Sequence, residues 1–104
     1  MIVTNTETVP GKRVEKILGV VRGNTIRARW FGRDIAAGFK MIVGGEIKSY
    51  TAMLTKARDE AYQRMLQEAK KLKADAVVNV RFVTAEVMQG AAEILAYGTA
   101  VKLK

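Results

Sequence analysis

The chain has 104 residues, of which 49% are hydrophobic and 27% charged, with a net charge of +8. Length and composition describe one globular domain of residues 1–104, able to hold a modest core without staples. The absence of cysteine and histidine excludes disulfides, thiolate and imidazole metal sites, cysteine nucleophiles and the Ser-His-Asp triad. The start, Met1-Ile2-Val3-Thr4-Asn5, has no basic region followed by an apolar one, so no signal peptide is read. No run approaches the ~20 apolar residues of a membrane span. The expectation is a compact, soluble, cytoplasmic domain. Its basic balance raises affinity for nucleic acid, with the charge spread along the chain.

Met1 to Val9 reads as a short edge strand and a loop, ended by the turn signal Pro10-Gly11. Val14 to Arg22 alternates as a strand and Gly23-Asn24 closes it. Thr25 to Arg33 is either a second strand or an extended arm. Asp34 caps a short helix through Val43, with Ile35, Phe39, Ile42 and Val43 on its apolar stripe, and Gly44-Gly45 stops it. The clearest element is a helix from Ser49 to Leu72. Tyr50, Met53, Leu54, Ala57, Ala61, Met65, Ala69 and Leu72 recur at helical spacing. Lys70, Lys71 and Lys73 suit the negative end of its dipole. Strands at Ala76–Thr84 and Ala92–Leu103 follow, joined by a turn near Met88-Gln89-Gly90.

The last strand has two apolar faces. Leu95, Tyr97, Val101 and Leu103 are bulky, while Ile94, Ala96, Gly98 and Ala100 are mostly small. One helix covers one face of a sheet, and a sheet face in water should be polar. A second copy of the chain is therefore the expected cover for Ile94, Ala96, Gly98 and Ala100, with the short helix as the alternative.

Several phrases stand in a recognisable order: Ile42-Val43-Gly44-Gly45-Glu46, Tyr50-Thr51, Ala57-Arg58-Asp59-Glu60-Ala61, Ala69 to Val77 and Tyr97-Gly98-Thr99-Ala100-Val101. Across essentially the whole chain they resemble the YbjQ-like family of prokaryotic proteins, sometimes labelled heavy-metal-binding. The resemblance implies an α+β fold with a dodecin-like β-α-β-β two-layer core. In that fold one long helix packs on a three-stranded antiparallel sheet with the last strand in the middle. It also implies a homopentameric ring. Where the family commonly has glycine this chain has Lys73, at a position that asks for positive φ.

No cofactor is assigned; a metal ion is the one the resemblance raises. A soft metal wants thiolate or imidazole, and neither exists here. Asp59, Glu60 and Glu93 are the carboxylates to examine for a hard cation or acid–base work. Asp59 and Glu60 are adjacent on a helix and diverge by about 100°. Glu93 would pair with an arginine such as Arg58 at a subunit junction. Among the methionines, Met88 alone lies near a turn rather than on the apolar helix face, which makes it the candidate thioether. Trp30 and Phe31 read as assembly anchors. The alternative function is nucleic-acid binding, with Arg27, Arg29 and Arg33 holding phosphates beside those aromatics. The expectation is thus a non-catalytic ring protein, a scaffold or a binder of a small ligand or metal ion.

Overall fold

Long alternating strands and one alanine-rich helix set the architecture. In a computed structural model the described residues are 1–28 and 45–104, and residues 27–28 and 45–50 are described by their backbone alone. The elements in chain order are β1 (Ile2–Val3), β2 (Val14–Ala28), α1 (Gly45–Lys71), β3 (Ala76–Met88) and β4 (Ala91–Leu103). They form one four-stranded sheet in the order β1-β3-β4-β2, with β1 parallel to β3 and the other pairs antiparallel. The expected β-α-β-β core with the last strand inside is present, and β1 makes the sheet four-stranded and mixed rather than three-stranded. The short helix expected at 34–43 lies outside the described residues. Gly45, read as a helix stop, is instead the first residue of α1.

β2 does not end at Gly23. It continues through Thr25, paired with Ile94, to Ala28, paired with Ala91. At Gly23 α1 comes close to the sheet: a Cβ there would collide with the Ala61 carbonyl and the Met65 amide. Glycine inside a strand here marks close approach of another backbone, not an end. The helix answers with small residues. Ala57, Ala61, Met65 and Ala69 are fully buried at four-residue spacing. Thr25 Oγ1 donates to the Ala57 carbonyl at 3.2 Å, so the one buried polar side chain among the described residues is satisfied.

The partner of this seam is the small-residue face of β4. Ile94, Ala96 and Ala100 share a core cluster with Val21, Ala57, Ala61, Met65, Ala69, Val77 and Val80. That corrects the expectation of a second subunit on Ile94, Ala96, Gly98 and Ala100. Small side chains on the sheet leave room for the chain's own helix, and α1 is small there too. Gly98 serves a local need: its missing Cβ is the space that Val77 and Val80 fill across a bulge in β3.

The bulge sits where Val78 pairs with Thr99 and Arg81 with Tyr97, leaving Asn79 and Val80 against Gly98. Asn79 is at φ 55, a conformation asparagine tolerates better than most residues. The displaced amides turn outward to the N-terminal segment: Asn79 N–H donates to the Thr6 carbonyl and Val80 N–H to that of Thr4. Behind them Val9 packs on Ala76, Val78 and Val101, a second small core on the face away from α1.

The molecule is long, 55 × 23 × 16 Å, with a radius of gyration of 17.2 Å. A compact chain of this length has about 13 Å, so the expectation of compactness is also corrected. Strands of 13 to 15 residues reach roughly 45 Å. The helix lies mainly over β2, reaches β4 and scarcely touches β3.

Candidate functional site

Three strands present a continuous face away from α1. Register places Asn24, Leu95 and Val83 in one row across it, and Arg22, Tyr97 and Arg81 in the next. Val20 and Val83 on this face are exposed, and Leu95 and Tyr97 are half-buried. The Val9 loop covers only the end near Ala76 and Val101. Among the described residues the bulky face is therefore the open one, the reverse of the assignment made from side-chain size.

The second feature is the free part of β3. Beyond Val80 no described residue pairs with its outer edge. Every residue from Arg81 to Met88 is exposed, including Phe82 at 47%, Val83 at 44%, Val87 at 50% and Met88 at 66%. Phe82 lies level with Ala96 on the helix side and stays exposed, since α1 scarcely touches β3. An exposed apolar edge strand offers unpaired N–H and C=O groups along with its side chains, a template for pairing. Only Arg81 and Glu86 carry charge in this stretch. The Arg81 guanidinium is already engaged, donating to the carbonyls of Asn5 at 2.9 Å and Val80 at 3.1 Å.

The opposite end of the molecule is basic. Lys12, Arg13 and Lys16 open β2, Lys70, Lys71 and Lys73 close α1, and Lys102 and Lys104 close β4. Arg13 and Lys104 exchange two main-chain hydrogen bonds, and Lys16 stands opposite Lys102. Lys102 Nζ donates to the Lys73 carbonyl at 3.0 Å and to Asp75 at 3.4 Å. The charge that looks dispersed along the sequence is gathered by the fold.

Asp75 escaped the reading of the sequence because its role is made by residues far along the chain. Its carboxylate accepts the Leu103 N–H at 2.9 Å, which holds its pKa below the ordinary value. The nearby Lys102 and Lys12 add to this, and burial opposes it. Lys73 is at φ 60, as the resemblance to a family with glycine at this position implies. It closes α1 with a Schellman pattern: Lys73 N–H donates to the Lys70 carbonyl and Ala74 N–H to that of Ala69.

The carboxylates proposed for metal binding or catalysis are not brought together. Asp59 is exposed and Glu60 half-buried on α1. Within the chain Glu93 accepts a hydrogen bond from Asn24 Nδ2 at 2.9 Å. Arg64 donates to the Asn24 carbonyl from the helix side. Met88 is the last residue of β3. Trp30, Phe31, Arg29 and Arg33 lie outside the described residues, as does the side chain of Arg27.

Residues 1–104 match the model of a family described as "Putative heavy-metal-binding", YbjQ. The chain belongs to this family. Relatives named UPF0145 protein are 65% identical in Archaeoglobus fulgidus, over all of this chain and 96% of the relative, and 62% in Thermotoga maritima, over all of this chain and 98% of the relative. A crystal structure from Pediococcus pentosaceus, of a protein with unknown function in the DUF74 family, superposes with a TM-score of 0.66 at 19% identity. It covers all of this chain and 98% of that one, a likeness of fold.

The donor set of this YbjQ member does not fit the heavy metal of the family description. Soft cations are held by thiolate, imidazole or thioether; the chain contains neither of the first two, and a lone exposed thioether at Met88 makes a poor site. Among the described residues no three carboxylates converge. Met65 is fully buried in the core. Among the described residues no helix is long and apolar enough to cross a membrane.

Proposed function

We propose that this YbjQ-family chain is a non-catalytic subunit that works by assembling with copies of itself, in a ring. The single observation behind this reading is the uncovered apolar edge Phe82–Met88, continuous with the open sheet face at Val83 and Leu95. Strand edges of this kind aggregate unless paired or shielded. A contact between two different surfaces of the same chain closes into a ring when its rotation permits. The length of the molecule agrees, since an extended two-layer ribbon buries poorly as a monomer. Catalysis is disfavoured because the chain lacks histidine and cysteine, and Glu93 and Asp75 are engaged in structural hydrogen bonds.

The test is native mass spectrometry at micromolar concentration. The expected result is a closed multiple of the 11.5 kDa chain. The pair Val83→Asp with Val87→Asp should release folded single chains with an unchanged far-ultraviolet dichroism spectrum. A wild-type chain found as a monomer, or an assembly indifferent to both substitutions, refutes the reading.

A further inference from the structure

We propose that the basic end of the molecule, where α1 and β4 finish and β2 begins, binds the phosphate backbone of nucleic acid. This site lies at the end of the sheet opposite the edge Phe82–Met88. Eight cationic side chains meet there, and three carboxylates are engaged by them: Glu68 by Lys71 at 3.0 Å, Asp75 by Lys102 at 3.4 Å and Glu15 by Lys104 at 3.9 Å. An excess of five cations at one end is more than half of the net charge of +8. Lys12, Arg13, Lys16, Lys70 and Lys73 form no ion pair with the described residues, and all five are exposed.

The arrangement suits a polyanion better than a single small anion. The five side chains come from two separate segments, Lys12 to Lys16 and Lys70 to Lys73, so they match charges that are themselves spread out. Duplex DNA offers one phosphate charge per ~1.7 Å of its axis. The opposing terms are small: the C-terminal end of a helix carries about half a negative charge, and exposed ion pairs bind their lysines weakly. A lipid surface is the poorer partner. Peripheral helices insert an apolar face into the bilayer, and α1 uses its seam, Ala57 to Ala69, on its own sheet.

The experiment is fluorescence anisotropy of the full chain with a labelled 30-base-pair duplex of arbitrary sequence, between 50 and 200 mM KCl. Contact with about four phosphates predicts a slope near −4 for the logarithm of affinity against the logarithm of salt. Lys12→Glu with Lys70→Glu should weaken binding more than ten-fold at 100 mM and flatten the slope by about two. The milder pair Lys12→Gln with Lys70→Gln should move both quantities in the same direction, with dichroism verifying the fold. Lys56→Glu with Arg58→Glu, an equal charge change on the helix surface, should leave the slope within one of the wild type. Equal losses from both charge-reversed pairs mean that net charge alone is responsible and overturn the proposal. So does the absence of saturable binding at 50 mM, and so does retention on phosphatidylserine vesicles without retention on the duplex.

Discussion

Ala76–Val80 and Arg81–Met88 are two halves of one strand, each rich in β-formers, and their surroundings differ completely. In the first half Val77 and Val80 face the helix, and Ala76 and Val78 face Val9. In the second half every residue is exposed. The divide is the bulge at Asn79, where the N-terminal segment takes the last outer hydrogen bonds, and the offset of α1 toward β2. Local sequence makes both halves strand. Both halves pair with β4, but among the described residues only the first is covered on its faces and outer edge, and the surface left over on the second is why a partner is proposed there.

The same contrast can be broken by substitution, with protein concentration held fixed because assembly shifts apparent stability. The largest effect belongs to Met65→Ala in the helix-covered core, expected to lose about 2–5 kcal/mol in urea denaturation. Met88→Ala, the same truncation on the uncovered half, should cost less than about 0.5 kcal/mol in a dissociated variant. Similar losses at the two positions would show that the edge is packed within the chain after all.

Gly23→Ala should come next, with a loss of about 1–3 kcal/mol, because its Cβ would press on the backbone of α1 at Ala61 and Met65. A neutral result in the same denaturation would mean the helix does not approach as closely as described. Lys73→Gly should stabilise by up to about 1 kcal/mol, since a lysine at φ 60 carries a strain that glycine does not. A fall in the denaturation midpoint would contradict that accounting.

The smallest expected effect is at Asp75. Its folded pKa is depressed, so its contribution is present above the ordinary carboxylate value near 4 and is lost as pH falls through the lower folded value. Asp75→Asn should therefore lower the urea midpoint slightly at pH 6 and converge with the wild type in acid. Parallel curves from pH 6 down to pH 2 would remove Asp75 from the linkage.

Much of the fold was legible in the residues. Four-residue spacing from Ala57 to Ala69 announces the buried stripe of α1. Alternation marks β3 and β4, and the family resemblance, with glycine common where Lys73 stands, implies its positive φ. The errors have physical sources. Gly23 looks like a strand end because glycine ends strands more often than it admits a helix. The face of Ile94, Ala96, Gly98 and Ala100 looks like a subunit contact because small residues permit close approach by any layer, and size does not name the layer. Strand β3 was expected to stop at Thr84, and pairing with β4 carries it to Met88. Of the proposed metal ligands, Glu93 is held by Asn24, a residue 69 positions away that no local pattern connects to it.

By itself the sequence determined the periodicities that make the helix and the strands, and, through the absence of thiol and imidazole, that no thiolate or imidazole ligates a metal here. Those are properties of side-chain order and chemistry. The tertiary structure alone decided which face of the sheet the helix covers, where β3 runs out of neighbours and that eight cations share one end. Each of these depends on contacts between residues far apart in the chain, such as Arg13 with Lys104 and Gly23 with Ala61, and such contacts exist only once the strands have taken their register.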